Sequence, residues 1–235
     1  SAWLVAHNDE ELTIETVAQA DALITRRMNH EPIAYLTGQK EFYGRNFTVS
    51  PDVLIPRPES EAIIDQLLAL QGDTLQKLRL VDVGSGSGCL GITSKLELPL
   101  LDVTLSDLSS AALRVAQKNA TQLGAAVSVK QSDLLSAFAP NQRFDIIIAN
   151  LPYVDTTWPT SPELKHEPSL ALYADDGGLA SIKTLLPQTK HHLENTGWLL
   201  LEADPCQHET IINVAADFAL HQVSTQEYCL VLRKN

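Results

Sequence analysis

The sequence predicts an α/β fold built on a doubly wound, mostly parallel β-sheet. After residue 77, short apolar runs alternate with stretches of helical periodicity, which is the pattern of successive strand–helix units. The first run leads straight into a glycine-rich turn at residues 82–88, as a tight strand-to-helix connection requires. The chain ends in a further apolar run, which predicts a last strand that is antiparallel and lies at or near an edge of the sheet.

Each apolar run defines one element of this fold. The predicted parallel strands cover residues 78–84, 101–107, 126–133, 144–151 and 197–204, and the antiparallel one falls within residues 227–235. Helices are predicted around residues 88–97, 109–123 and 177–194, with one more near 207–218.

The residues before this alternation carry other patterns. Apolar side chains recur at helical spacing over residues 13–27 and predict one amphipathic helix. Alternating apolar residues within 47–55 predict a β-hairpin that turns at Ser50–Asp52. A second helix follows between Ser60 and Gly72. We therefore expect a helical segment and a hairpin ahead of the sheet.

Composition is that of an ordinary soluble protein, with 44% hydrophobic and 20% charged residues. Seventeen basic and 29 acidic residues give a formal charge of -12, and such a surface repels phosphate backbones. Direct nucleic-acid binding is therefore not expected. No apolar run approaches the roughly 18–20 residues that span a bilayer, and no signal peptide opens the chain, so we expect a cytoplasmic protein without a membrane partner.

The three cysteines indicate no metal site and no disulfide framework. Cys89, Cys206 and Cys229 lie far apart and form no CxxC pair. Such usage suits a reducing compartment. No metal is expected.

The glycine-rich turn is the first candidate binding site. It reads Asp82-Val83-Gly84-Ser85-Gly86-Ser87-Gly88 and lets a ligand approach the amides that begin the next helix. Its third glycine comes one residue too early for the dinucleotide fingerprint, and the lysine of a phosphate-binding P-loop is missing. The alternative interpretation is a turn that serves packing alone.

The next two strands also end in candidate ligand-binding residues. Asp107 lies 19 residues past Gly88, where this kind of fold presents an acid to a ribose diol, although it could instead cap the helix that begins near Ser109. Asp133 ends the third strand, and with Leu134 it could grip an adenine by its edge and face. Because parallel strands end at one rim of a sheet, these residues are expected to lie together.

The fourth strand ends at an amide, a rigid turn and an aromatic ring: Asn150, Leu151, Pro152 and Tyr153. Together with the glycine turn, Asp107 and Asp133, this order resembles the successive motifs of class I S-adenosylmethionine-dependent methyltransferases. The resemblance implies a Rossmann-like fold and S-adenosyl-L-methionine as cofactor, with S-adenosyl-L-homocysteine as product. It assigns cofactor binding to Asp82, Gly84, Ser85, Gly86, Ser87, Gly88, Asp107, Asp133, Leu134 and Asn150.

The Asn-x-Pro-Tyr pattern resembles enzymes that methylate an amino nitrogen conjugated to a π system, namely adenine N6, cytosine N4 or the glutamine amide. A second proline is more common where this chain has Leu151, and leucine also occurs there in adenine dimethylases of ribosomal RNA. Four further segments resemble the HemK or PrmC family, the protein-(glutamine-N5) methyltransferases of class I peptide chain release factors. They are EPIAYLTG, EFYG, LIPRPESE and HEPSLALYADDGGL.

This family resemblance implies three regions and one substrate. Residues 1–37 would be a remnant of the helical N-terminal substrate-recognition domain, 38–58 a β-hairpin linker and 59–235 the catalytic domain. The substrate would be the glutamine in the Gly-Gly-Gln motif of a release factor. Alternatives are a ribosomal-protein glutamine, an adenine or cytosine amino group that is flipped into the same pocket, and a non-catalytic interaction module.

The chemistry of an amide explains the catalytic candidates. An amide nitrogen is a poor nucleophile, so the Asn150 side-chain oxygen and the Leu151 carbonyl would each accept one of its N–H groups and turn its free face to the donor. The carbonyl survives without proline, so Leu151 is compatible with this role. Pro152 fixes the turn and Tyr153 offers a flat face.

Several further residues have open interpretations. Phe42 is either a wall of the amide pocket, by resemblance, or a core residue. Arg57 could face the cofactor cleft or pair with Glu59 or Glu61. His166 and Glu167 also resemble family positions, and the sequence assigns them no mechanism.

Overall fold

A computed structural model describes residues 11–71 and 77–235. Its main sheet has seven strands: β3 (Arg79–Val83), β4 (Asp102–Asp107), β5 (Ser128–Gln131), β6 (Phe144–Ala149), β7 (Leu193–Glu202), β8 (Leu220–Gln226) and β9 (Cys229–Lys234). Their order is β5-β4-β3-β6-β7-β9-β8. Only β9 pairs antiparallel, with β7 and β8; all other pairings in this sheet are parallel. The predicted doubly wound sheet is confirmed.

Six of the eight described helices cover segments that periodicity predicts, whereas the two shortest, of five and four residues, were not predicted. The described helices are α1 (Ile14–Met28), α2 (Ile33–Thr37), α3 (Glu61–Gln71), α4 (Cys89–Glu97), α5 (Ser110–Leu123), α6 (Ser169–Leu172), α7 (Ala180–His192) and α8 (His208–Ala216). Short 3-10 turns lie at Pro58–Ser60, Pro162–His166 and Pro205–Gln207. None of the described helices has the length and apolar character needed to cross a membrane.

The core lies on both faces of the sheet because side chains alternate along each strand. On β6, Ile147 and Ala149 pack with the buried residues of α7 and α8, whereas Ile146 and Ile148 pack with those of α3, α4 and α5. Helices therefore cover both faces, and the rim at the carboxyl ends of the strands remains for a site.

The hairpin is present, but its predicted turn is wrong. Strands β1 (Gln39–Phe42) and β2 (Arg45–Thr48) pair around Tyr43 and Gly44, whose φ angles are 50° and 73°. Two consecutive residues with positive φ form the tight turn that matches strand twist. Val53 and Ile55, expected in the second strand, are instead buried against Tyr35 in a separate cluster.

Two strands differ from expectation in an informative way. Strand β8 was not predicted, because as an edge strand it is largely exposed and its sequence, LHQVSTQ, lacks an apolar run. Strand β7 begins at Leu193, earlier than the expected residue 197. The last strand, β9, is second from the edge, consistent with its predicted place.

Helix α1 has the predicted extent, with the Thr13 hydroxyl accepting the backbone N–H of Thr16 at 3.1 Å as its N-terminal cap. None of its residues is buried, and Ile14 and Met28 are 91% and 77% exposed. Its apolar face is therefore open within the described part of the chain.

Candidate active site

The predicted site residues gather where the strand order reverses, between β3 and β6. In open α/β sheets, ligands bind at this point, outside the carboxyl ends of the strands. A cavity of about 610 Å³ opens there. Ten of the predicted residues line it: Gly84, Ser85, Gly86, Ser87, Asp107, Asp133, Leu134, Asn150, Leu151 and Pro152.

The glycine turn folds back onto the neighbouring strand ends. Gly84, Gly86 and Gly88 have φ angles of 73°, 52° and 80°, which favour glycine. The Gly84 N–H donates to the Ser106 carbonyl at 2.8 Å. A Cβ on Gly84 would lie 2.9 Å from the Leu151 side chain, so the close approach of these two segments requires glycine.

Asp82 lies behind the turn and does not line the cavity. Its side chain is buried, and Oδ2 accepts the N–H of Gly91 at 2.8 Å. Oδ1 has no hydrogen-bond partner among the described residues. Burial raises the pKa of Asp82 to about 7, the Gly91 N–H opposes this shift, and Asp107 adds to it. The hydrogen bond between Gly91 and Asp82 therefore holds the first turn of α4 beneath the glycine loop.

Asp107 lines the cavity, and the cap of α5 is Ser109, whose hydroxyl accepts the Ala112 N–H at 3.2 Å. Asp107 Oδ2 accepts the Gly86 N–H and Oδ1 accepts the Ser109 N–H, both at 2.8 Å. Burial raises the pKa of Asp107, and the hydrogen bonds from these two backbone N–H groups oppose that rise. Each carboxylate oxygen keeps a further lone pair, so Asp107 can still accept hydroxyl groups from the cavity it lines.

Asp133 and Leu134 lie beyond the end of β5, which stops at Gln131 rather than at the expected residue 133. Leu134 is half-buried and has a φ of 49°, an uncommon angle for a residue other than glycine. Such conformations cost of order 1–3 kcal/mol and cluster at functional sites. Leu134 presents its side chain to the cavity together with Asp133.

The turn from Asn150 to Tyr153 is anchored from three directions. Asn150 Nδ2 donates to Ser60 Oγ at 3.0 Å, and the Tyr153 hydroxyl donates to Glu202 Oε1 at 3.1 Å. Gln207 Nε2 donates to the Tyr153 carbonyl at 2.9 Å. A Cβ on Gly178 would lie only 2.0 Å from that carbonyl oxygen.

A second cavity, of about 350 Å³, lies on the other side of this turn. Asn150 and Leu151 border both cavities, as do Leu54, Arg57 and Ala171. Tyr153, Glu167 and Glu202 line the second cavity only. The turn therefore separates a larger cavity at the glycine loop from a smaller one lined by both apolar and charged side chains.

Of the two alternatives for Arg57, the structure favours the one in which it faces a cavity: it lines both cavities and pairs with Glu167 rather than with Glu59 or Glu61. Its guanidinium donates to Glu167 Oε1 at 2.6 Å, while Glu167 Oε2 accepts the Ile55 N–H at 3.0 Å. The Glu167 side chain is 2% exposed. Glu167 is distant in sequence, so local spacing could not identify it as the partner.

Two other side chains have structural roles. Phe42 is buried in the core and packs edge-to-face with Phe47, at 6.2 Å between ring centroids, so its ring does not line either cavity. His166 Nε2 contacts the Asn29 carbonyl at 2.9 Å, joining the end of α1 to the 3-10 turn at Pro162–His166.

Glu202 is the main residue that sequence reasoning missed. It ends β7, is 2% exposed and borders the second cavity. Burial raises its pKa, although Ser60, Tyr153 and Asn150 oppose the shift. Oε2 has no hydrogen bond of good geometry from any described residue. The signal available in the sequence was that Glu202 is an acid that ends a buried strand at the same edge of the sheet as Asp107.

Comparison with known proteins identifies the family. Residues 1–38 match the family described as PrmC N-terminal domain, and residues 60–167 match the one described as Methyltransferase small domain. A release factor glutamine methyltransferase from Koribacter versatilis (strain Ellin345) is 42% identical over 212 residues, 87% of this chain and 75% of that protein. The chain belongs to the release factor glutamine methyltransferase family.

Another release factor glutamine methyltransferase, from Escherichia coli (strain K12), is 36% identical over 226 residues, 95% of this chain and 80% of that protein. Among solved structures, a T. thermophilus 16S rRNA methyltransferase in complex with AdoMet and guanosine has a TM-score of 0.60 and 18% identity. The superposition covers 84% of this chain and 49% of that chain. This likeness supports the class I methyltransferase fold.

In this member of the release factor glutamine methyltransferase family, different segments of the chain line the two cavities. The larger cavity draws on the glycine turn and the ends of β4 and β5, whereas the smaller draws on Glu167 and Glu202, with Arg57 at both. Ser60, which holds Asn150, was also missed, because it lies 90 residues away in the sequence.

Proposed function

We propose that this protein transfers a methyl group from S-adenosyl-L-methionine to the side-chain amide nitrogen of the glutamine in the Gly-Gly-Gln motif of a class I peptide chain release factor. One observation carries the proposal. The Asn150–Tyr153 turn lies between two cavities, and the Asn150 side-chain NH2 donates to Ser60, a bond that does not use the side-chain oxygen. Family membership supplies the substrate class.

The larger cavity suits the methyl donor. Its volume of about 610 Å³ falls in the range of small-molecule sites, roughly 300–1,000 Å³. The buried Ser85 hydroxyl lines it without a hydrogen-bond partner among residues 11–71 and 77–235. Ser85 and Asp107 are matched to the polar groups of an amino acid and a ribose. The sulfonium of the bound donor supplies an electrophilic methyl group.

Asn150 and Leu151 orient the amide nitrogen of the substrate. Asn150 Oδ1 accepts one N–H and the Leu151 carbonyl accepts the other, which directs the remaining face of the nitrogen towards the larger cavity. Because both acceptors belong to one anchored turn, they are held before the substrate arrives. Orientation of this kind can lower a barrier by about 7–11 kcal/mol.

The smaller cavity suits the glutamine side chain. Tyr153 offers a flat aromatic face, and its hydroxyl is fixed by Glu202. Arg57 is held by Glu167 at the boundary of the two cavities, where its remaining N–H groups can meet the amide carbonyl oxygen. A planar, polar, uncharged group fits this lining.

Labelled methyl transfer tests the proposal. The chain is incubated with labelled S-adenosyl-L-methionine and an unmodified class I release factor, in parallel with a factor whose Gly-Gly-Gln glutamine is replaced by alanine. Parallel arms contain ribosomal protein, RNA or DNA. We expect label on the intact release factor alone. Equal label on the alanine variant, or preferential label on another arm, would contradict the proposal.

A further inference from the structure

We propose that Ser60 and Glu202 are positioning residues that fix which end of the Asn150 side-chain amide faces the substrate. This inference rests on the proposed function and extends it. Ser60, Asn150 and Glu202 come from the 3-10 turn at Pro58–Ser60, from the residue after β6 and from the end of β7. Asn150 borders both cavities, whereas Ser60 lines the larger one and Glu202 the smaller one.

The role of Asn150 depends on its orientation. The oxygen and nitrogen ends of an asparagine side chain have nearly the same shape, but one accepts hydrogen bonds and the other donates them. A flip by half a turn would present Nδ2 to the N–H groups of the substrate, so that donors would face donors. The site therefore needs a device that distinguishes the two orientations.

Ser60 alone cannot provide this distinction. Its hydroxyl is 2% exposed and accepts from Asn150 Nδ2 at 3.0 Å. A hydroxyl can also donate, however, and would then hold the flipped amide through Oδ1 equally well. The bond to Ser60 fixes the orientation only if the Ser60 proton is directed elsewhere.

Glu202 provides the acceptor for that proton. When ionised, a carboxylate accepts hydrogen bonds and cannot donate them. Its Oε1 is occupied by the Tyr153 hydroxyl, and its buried Oε2 has no well-formed hydrogen bond within the described structure. Burial raises the pKa of Glu202, and Ser60, Tyr153 and Asn150 oppose that shift, so Ser60 and Asn150 lie near the carboxylate without a well-formed hydrogen bond to it in the described structure.

In the proposed relay, the hydrogen bonds run in one direction. The Ser60 hydroxyl donates towards Glu202, its oxygen must then accept from Asn150 Nδ2, and Asn150 Oδ1 is left to accept the substrate N–H. The Tyr153 hydroxyl donates to the same carboxylate. Glu202 therefore determines which end of the Asn150 side-chain amide faces the substrate, and it also holds the Tyr153 hydroxyl.

Steady-state kinetics of Ser60→Ala and Ser60→Thr test the inference in the full chain, with S-adenosyl-L-methionine and release factor. Alanine removes the relay, whereas threonine keeps a hydroxyl. We expect Ser60→Ala to lower kcat about 100-fold, the effect of a misplaced reacting group, while KM for the release factor and Kd for the cofactor change by less than about threefold. Ser60→Thr should recover most of the kcat.

Glu202→Gln supplies the second arm. A glutamine amide can donate to Ser60 and so permits either orientation of Asn150. We expect a similar fall in kcat, and the double variant Ser60→Ala/Glu202→Gln should be no slower than the slower single variant, because both act through one side chain.

Three results would overturn the relay while leaving the proposed function intact. They are wild-type kcat in Ser60→Ala, a loss of cofactor affinity as large as the loss of kcat, and multiplicative losses in the double variant. If Ser60→Ala does not fold, Ser60→Cys keeps the volume with a weak donor and should show the same fall in kcat. Failure of the wild-type chain to label release factor would instead reject the proposed function.

Discussion

The two cavities on either side of the Asn150–Leu151 turn are built differently. The larger one is formed mainly by backbone turns and strand ends that follow one another between residues 84 and 134. The smaller one depends on side chains from distant segments, including the Arg57–Glu167 pair and Glu202. The difference teaches that the proposed donor site arises largely from local sequence, whereas the proposed amide site depends on segments that only the fold brings together.

The largest expected effect on stability comes from a substitution that disturbs the backbone beside the smaller cavity. In Gly178→Ala, the new Cβ would lie 2.0 Å from the Tyr153 carbonyl oxygen, at a φ of 82°. We expect a loss of about 3 kcal/mol or more in the free energy of unfolding, measured by urea denaturation. The control is Gly124→Ala, where φ is 71° and no atom lies within 4 Å. That variant should lose only about 1–2 kcal/mol, and equal losses would contradict the close-approach argument.

Breaking the ion pair should have the next largest effect. Arg57→Ala leaves the Glu167 carboxylate, 2% exposed, with the Ile55 N–H as its remaining hydrogen-bond partner among the described residues. Because Arg57 is partly exposed, we expect a loss of about 2 kcal/mol in unfolding free energy, less than for a fully buried pair. Glu167→Gln, which keeps an acceptor for Ile55, should lose less, as chemical denaturation would reveal. A larger loss in Glu167→Gln would argue against a buried unpaired charge as the cause.

The scaffold behind the larger cavity makes a pH-dependent contribution. Burial raises the pKa of Asp82 from 3.8 to about 7. Between these values the folded protein holds a proton that the unfolded chain has released, so stability falls as pH rises, by up to about 1.4 kcal/mol per pH unit. The neutral variant Asp82→Asn removes this contribution.

Unfolding free energies of wild type and Asp82→Asn, compared from about pH 5 to about pH 7, isolate the contribution of this carboxyl. Burial also raises the pKa values of Asp107 and Glu202, so the difference between the two slopes is the informative quantity. We expect a shallower decline in Asp82→Asn. Parallel curves would contradict the assigned shift.

The smallest expected effect concerns Leu151. Its buried side chain packs against Gly84, while its carbonyl is the proposed acceptor. Leu151→Pro retains the carbonyl and stiffens the turn at the expense of buried apolar area, so kcat should change by less than about threefold. Leu151→Ala is the matched variant that loses the same packing without stiffening. A severe loss of kcat in the proline variant alone would show that the Leu151 N–H matters.

The sequence predicted the sheet well because its determinants are local, and many of the predicted site residues line the larger cavity for the same reason. Apolar runs mark the strands: Gly84 and Asn150 directly follow one, and Asp107 is the last residue of another. Glu202 also follows one, but its role depends on β7 lying beside β6, which is a tertiary fact. Gln207, which anchors the Tyr153 carbonyl, is likewise visible only in the folded chain.

Asn150→Ala tests the central claim most directly, through the rate of methyl transfer to release factor and the Kd for S-adenosyl-L-methionine measured on the same preparation. The account predicts that removal of this acceptor lowers kcat about 10²- to 10³-fold, as loss of one preorganised hydrogen-bonding group does elsewhere, while the Kd changes by only a few fold. An unchanged kcat, or a loss of cofactor affinity that accounts for the whole effect, would contradict the claim that the turn orients the substrate amide.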